Sequence, residues 1–128
     1  MIVVDASVLI GYLDSEDLHH DRAEALLANE IDDDLAVSSL SLAEVLVVPA
    51  RESRLDVVRQ ALADLDLEEL PFPTDAAVKL ARLRADSNLK MPDGCVLLAA
   101  EEAHARLASF DERLLNAATD RGLVAVRG

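Results

Sequence analysis

The sequence predicts a three-layer α/β/α domain built on a mostly parallel central sheet of about five strands. Short continuous apolar runs recur along the chain, and segments with helical apolar spacing separate them. Acidic residues stand where several of these runs give way to helix-like sequence. A run that is apolar at consecutive positions marks a strand covered on both faces, as parallel strands are. At 128 residues the chain suits one domain with a proper core, so a single unit over residues 1–128 is expected.

Residues 2–4, Ile-Val-Val, read as a buried central strand, and residues 6–13 as a short helix. After a polar stretch at 15–17, residues 20–29 place Ala23, Leu26 and Leu27 at helical spacing. Asp32, Asp33 and Asp34 form a turn before a second strand at 35–37. Ser41-Leu42-Ala43-Glu44 matches a capping box that opens a helix, which Pro49 should end or kink. Residues 51–65 are amphipathic, with Leu55, Val58, Leu62 and Leu65 on one stripe. Residues 67–70 suit an edge strand before Pro71-Phe72-Pro73, and Thr74 suits the cap of a helix reaching Arg84. A polar loop at 86–90 leads to Pro92 and Asp93, which open a helix running to about residue 105. Residues 107–110 then read as a strand ending at Asp111, residues 111–119 as a helix, Gly122 as its stop and residues 123–126 as a last strand.

Composition removes several classes of function. There is no Trp, one Tyr and two Phe, too few for a base-stacking surface. No apolar run approaches the roughly 20 residues of a membrane span. Met1 leads straight into the first run without a basic n-region or cleavage site, so a cytoplasmic protein is expected. The single cysteine, Cys95, has apolar neighbours and reads as a buried structural thiol. His19, His20 and His104 make no metal set, and the adjacent pair reads as a solvated helix start.

Twelve cationic side chains, ten of them Arg, face 25 acidic ones, for a net charge of −13. That sign repels nucleic acid at long range and favours a basic protein partner. A phosphate-bearing substrate would have to be held by metal and by local cations. Arg82, Arg84 and Lys90 are the local candidates, although an exposed solvated face also accounts for all three.

The most informative residues are Asp5, Glu44, Asp93 and Asp111. Each has an ordinary explanation. Asp near a helix start accepts backbone N–H bonds and suits the helix dipole, and Glu44 would be the reciprocal partner in the capping box. Taken as a set, they stand where a parallel α/β fold gathers its post-strand ends, the edge at which such proteins bind ligands. Four carboxylates converging there would repel one another unless they held a hard divalent cation such as Mg2+. Capping does not exclude ligation, because a carboxylate has more than one lone-pair direction. No glycine-rich phosphate loop and no nucleophile elbow is present, so nucleotide binding by such a loop and serine hydrolysis are both unsupported.

At these residues the chain resembles the PIN domain family, and more narrowly the VapC-type toxins of bacterial toxin–antitoxin pairs. The matching segments are IVVDASVLIGYL, SSLSLAEVL, MPDGCVLLAA and ASFDERLLNAATDRGL, which together run over nearly the whole chain. The resemblance implies that Asp5, Glu44, Asp93 and Asp111 are metal-binding acids of a Mg2+- or Mn2+-dependent endoribonuclease. Ser7 matches a small hydroxyl position that helps orient the first Asp, and Ser109 stands where relatives often have Thr. Leu114 stands where relatives often have Phe, a change of packing. A homodimer is implied, as is an antitoxin whose tail blocks the site with a basic side chain. The implied mechanism groups Asp5, Glu44 and Asp93 around a first ion, with Asp111 completing that site or helping to hold a second. The ion acidifies a water for in-line attack at phosphorus.

Two rivals remain at this level. A phosphotransfer receiver would want paired acids after the first strand and a Lys near the last, whereas Asp5 stands alone and Lys79 and Lys90 lie elsewhere. A non-catalytic PIN-like module that only binds its partner is the second, and the scarcity of basic residues keeps it open.

Overall fold

A computed structural model of the chain describes residues Met1–Gly128. Five strands, β1 (Ile2–Val4), β2 (Leu35–Ser38), β3 (Glu68–Leu70), β4 (Arg106–Ala108) and β5 (Ala125–Val126), form one sheet. Their order is β3-β2-β1-β4-β5 and every pairing is parallel. The expected mostly parallel sheet is therefore wholly parallel. Strand β1 lies at its centre and is buried throughout, while β3 is an edge strand that exposes Glu68 and Glu69.

Seven helices complete the fold: α1 (Ala6–Leu13), α2 (His20–Asn29), α3 (Ser39–Arg51), α4 (Leu55–Asp64), α5 (Ala76–Ser87), α6 (Met91–Ala103) and α7 (Glu112–Asp120). The period-two alternation of the strands divides them into two layers. Ile2, Val4, Leu35 and Val37 point into one apolar cluster with Val8 and Leu9 of α1, Leu26 and Leu27 of α2, Val45 of α3 and Val58 and Leu62 of α4. Val3, Ala36 and Leu107 point the other way, onto Leu83 of α5, Leu97 of α6 and Leu114 of α7. Both faces of the sheet are thus covered, which is why β1 at its centre is apolar at every position. No helix is long and apolar enough to cross a membrane.

Several boundaries differ from the sequence expectation. Helix α3 starts at Ser39, and its N-cap is Ser38, whose side chain accepts from the Ser41 N–H at 3.2 Å. Ser41 is therefore inside the helix, and the capping box with Glu44 does not form. Pro49 does not end α3: it lies inside the helix, which runs on to Arg51. A turn with Ser53 at φ 56° follows, so the amphipathic helix begins at Leu55 rather than residue 51. Thr74 is not the cap of α5. Asp75 holds that position at φ 63° with no side-chain cap bond, as a short polar residue in the left-handed region can. Helix α6 stops at Ala103 because His104 turns left-handed at φ 52°. Gly122, at φ 84°, follows α7 as expected.

Candidate metal centre

In an all-parallel sheet the strand C-termini share one edge, and the four acids reach that edge from four different helices. Asp5 follows β1 and N-caps α1, and Asp111 follows β4 and N-caps α7. Glu44 is on α3, which leaves β2, and Asp93 is in the first turn of α6. All four line one cavity of about 200 Å3, together with Ser7 and Ser41.

Asp5 is the most tightly held. Its Oδ1 accepts from the Ser7 hydroxyl at 2.6 Å and from the Val8 N–H at 3.2 Å. Its Oδ2 accepts from the Ser109 hydroxyl, whose oxygen in turn accepts from the Asp111 N–H at 2.9 Å. Ser109, fully buried, thereby ties two acids that are 106 positions apart in sequence numbering (111 − 5) into one unit. The Asp111 carboxylate accepts from the Arg113 N–H at 2.9 Å. The capping explanation thus holds for Asp5 and Asp111. It fails for Asp93 and Glu44, which cap nothing: Lys90 stands at the α6 cap, and Glu44 lies well inside α3.

Ionisation of Asp5, Glu44 and Asp93 is disfavoured. Burial pushes the Asp5 carboxyl above its ordinary range, and the bonds from Ser109 and Ser7 only partly oppose this. Glu44 is raised by the desolvation of its cavity-facing carboxyl and by the charges of Asp93 and Asp5, although the residue as a whole is exposed. Asp93 is raised by burial and by Asp111 and Asp5, with Lys90 and Arg113 pulling it back. None of the ion pairs in the structure involves any of the four acids.

The donor set is entirely hard oxygen, uncompensated by internal cations, which suits Mg2+ or Mn2+. The carboxylates are spread around the cavity rather than closed into a tight cage. That spacing fits an ion that keeps several waters and takes few direct protein ligands, as Mg2+ does. Three ligating atoms come within 4.8 Å of one another elsewhere, at His20, Asp21 and Glu24 on the open side of α2. There His20 Nδ1 meets the Gly11 carbonyl at 2.7 Å, and Nε2 pairs with the Glu24 carboxylate one turn along the helix, which accounts for the cluster as an ion pair. The histidine pair is half-buried rather than solvated, with His19 packed against the Phe110 ring at 5.0 Å. Cys95 is buried, as its neighbours suggested.

Two neighbours of the site were missed in the sequence. Ser41 is 1 % exposed and lines the cavity, its hydroxyl oxygen accepting from Ser38 at 3.0 Å. The Ser41–Glu44 spacing that resembled a capping box instead puts both residues on one face of α3. Arg113 was the other, hidden because it follows Asp111 with no pattern to mark it. Of the cations singled out, Lys90 stands beside Asp93, whereas Arg84 donates Nε–H to the Leu89 carbonyl at 2.8 Å and Arg82 is an exposed residue of α5. A groove of about 470 Å3 adjoins the cavity, with Glu44 lining both. Ile10, Leu13, Val45 and Val48 give it apolar lining, Asp14 also lines it, and Glu52 and Arg54 line it as an ion pair at 2.8 Å.

The family model described as PIN domain matches residues 2–120. Among solved structures, FitAcB from Neisseria gonorrhoeae is similar with a TM-score of 0.75 at 22% identity, covering 98% of this chain and 96% of that one. VapC20 from Mycobacterium tuberculosis, a toxin that cleaves the sarcin–ricin loop, is similar with a TM-score of 0.76 at 15% identity over 100% of both chains. A toxin–antitoxin complex from Klebsiella pneumoniae gives 0.74 at 23% identity over 87% of each. At these identities the likeness is one of fold. No curated protein sequence matches the chain significantly.

Proposed function

Since the chain belongs to the PIN domain family, we propose that it is a metal-dependent endoribonuclease, the toxin of a toxin–antitoxin pair, acting as a single domain over residues 1–128. One observation carries the reading: Asp5, Glu44, Asp93 and Asp111 line one cavity at the C-terminal edge of a parallel sheet, and no cation of the chain is paired with them. Uncompensated negative charge at that place is costly unless a hard cation is held there.

Asp5, Glu44 and Asp93 would hold a first Mg2+ or Mn2+, with Asp111 completing that site or sharing a second. The ion supplies acidification of a water and neutralisation of charge on a phosphodiester. The protein does the rest. Ser7 and Ser109 fix both Asp5 oxygens, so that carboxylate is presented in one orientation. A carboxylate raised above its usual range and not engaged by the ion can take a proton from the attacking water at an oxygen atom.

The partner reading rests on the adjoining groove. Its apolar lining, with the unpaired acids Asp14 and Glu44, suits an amphipathic antitoxin segment, and a basic side chain on that segment would reach the carboxylates past Glu44. A cytoplasmic homodimer belongs to the same reading. The test is cleavage of a mixed tRNA and structured-RNA pool with Mg2+, with Mn2+ and with EDTA. Metal-dependent cutting that Asp5→Asn and Asp93→Asn abolish is the expected result. Equal cutting by pure Asp93→Asn protein would sink the mechanism, and no cutting by folded, partner-free protein would favour a binding module.

A further inference from the structure

The surface poses a problem for any polyanionic substrate. A chain of net charge −13 has to bring phosphates against a carboxylate cavity. Most of its cations are already committed. Arg54, Lys79, Arg106, Arg121 and Arg127 are in ion pairs. The Arg22 guanidinium lies 4.6 Å from the centre of the Phe110 ring, and Arg84 is tied to Leu89.

Lys90 and Arg113 are different. Lys90 is the N-cap residue of α6, its carbonyl accepting from the Gly94 N–H at 2.9 Å, three positions before Asp93. Arg113 is in the first turn of α7, with its N–H on the Asp111 carboxylate at 2.9 Å. Both side chains are exposed and neither closes an ion pair. They stand at the starts of the two helices that bring Asp93 and Asp111 to the cavity. Unpaired and exposed, they keep their donors available to an anion bound beside the cavity.

We propose that Lys90 and Arg113 form the phosphate grip of this site, binding the backbone on either side of the phosphodiester that faces the carboxylates. The proposal rests on the nuclease reading and adds where the substrate is held. The geometry separates the two charges of the reaction: carboxylates at the centre for a cation, and two cationic side chains at the rim for the flanking phosphates. Arg can grip a phosphate with two parallel N–H donors and Lys acts as a point charge, so Arg113→Lys should keep part of the effect. It also explains how an acidic surface tolerates nucleic acid: attraction is confined to the mouth of the site, and the rest of the molecule repels strands not seated there.

The experiment compares the native chain with Lys90→Ala, Arg113→Ala, the double variant and Arg59→Ala, an exposed and unpaired cation of α4. Binding of a fluorescent single-stranded RNA and a DNA of the same sequence is followed by anisotropy across a salt series, in an Asp5→Asn background that stops cleavage. Steady-state cleavage is measured in parallel on the Asp5 protein. Each cation removed should make the log–log salt dependence shallower by about 0.7. KM should rise with kcat unchanged, as loss of uniform binding requires. Arg59→Ala should behave as native. Equal effects on RNA and DNA would mark the backbone as the ligand, and an RNA-only effect would place the 2′-hydroxyl in the contact. A double variant with native slope and native KM overturns the grip while leaving the nuclease intact. So does an equal loss in Arg59→Ala, which would mean net charge alone. A native chain that neither binds nor cuts either strand overturns the nuclease reading, and the grip with it.

Discussion

Ser109 is the residue on which the site's geometry turns. Its hydroxyl donates to one oxygen of Asp5 while its oxygen accepts from the backbone of Asp111, so a single buried side chain fixes the separation of two acids. Burial of Asp5 costs energy unless its charge is hydrogen-bonded, and Ser109 and Ser7 supply those bonds. Ser109→Ala should therefore lower stability by about 1.5–3 kcal/mol, the usual range for a hydrogen bond to a charged group. It should also push the Asp5 carboxyl further up. Urea unfolding checks the first effect, and NMR titration of the Asp5 carboxyl the second. An unchanged midpoint would mean that water replaces the hydroxyl without cost.

At the scale of elements, the helix starts decide where the acids stand. Ser38 caps α3 through the Ser41 N–H, and that start puts Glu44 in the second turn, facing the cavity rather than bonded to its own helix end. Ser38→Ala should cost about 1 kcal/mol by loss of the cap, with the larger consequence that Glu44 loses its fixed position. Chemical denaturation measures the former, and cation affinity by calorimetry the latter. Sequence pattern located all twelve elements, because apolar runs and helical stripes are local signals. It misplaced the boundaries set by backbone conformation, at Ser53, Asp75 and His104, where non-glycine residues go left-handed because the tertiary path demands it. The SLSLAE segment holds two competing hydroxyl caps, and nothing local says that the earlier one wins.

For the molecule as a whole, the carboxylate cavity couples folding to pH and to cations. The Asp5, Glu44 and Asp93 carboxyls titrate above their ordinary range in the folded chain. The folded state therefore binds protons more tightly than the unfolded one. Their effect on stability is most favourable below the ordinary carboxylate range and declines as pH rises through the raised folded values, leaving a penalty at neutral pH. A divalent cation should offset it. Mg2+ or Mn2+ should raise Tm at about pH 7 by the equivalent of about 2.7 kcal/mol at a hundredfold excess over Kd, and by much less near pH 4, where protons already occupy the carboxylates. Asp93→Asn should raise the cation-free Tm and shrink the cation-induced increment. A calorimetric scan in which the cation shifts native and Asp93→Asn chains equally would remove these acids from ion binding.

By itself the sequence determined the layer architecture, the buried character of the central strand, and four acids beside apolar runs, because each is written in a few neighbouring residues. Only the tertiary structure decided that the sheet is wholly parallel, so that all post-strand ends share an edge, and that Ser109 joins Asp5 to Asp111. It also decided which cations are free, placing Arg113 beside the site and tying Arg84 to Leu89. These are contacts between residues distant along the chain. A long-range pairing leaves no periodic trace in either partner, and it exists only once the sheet has brought the two together.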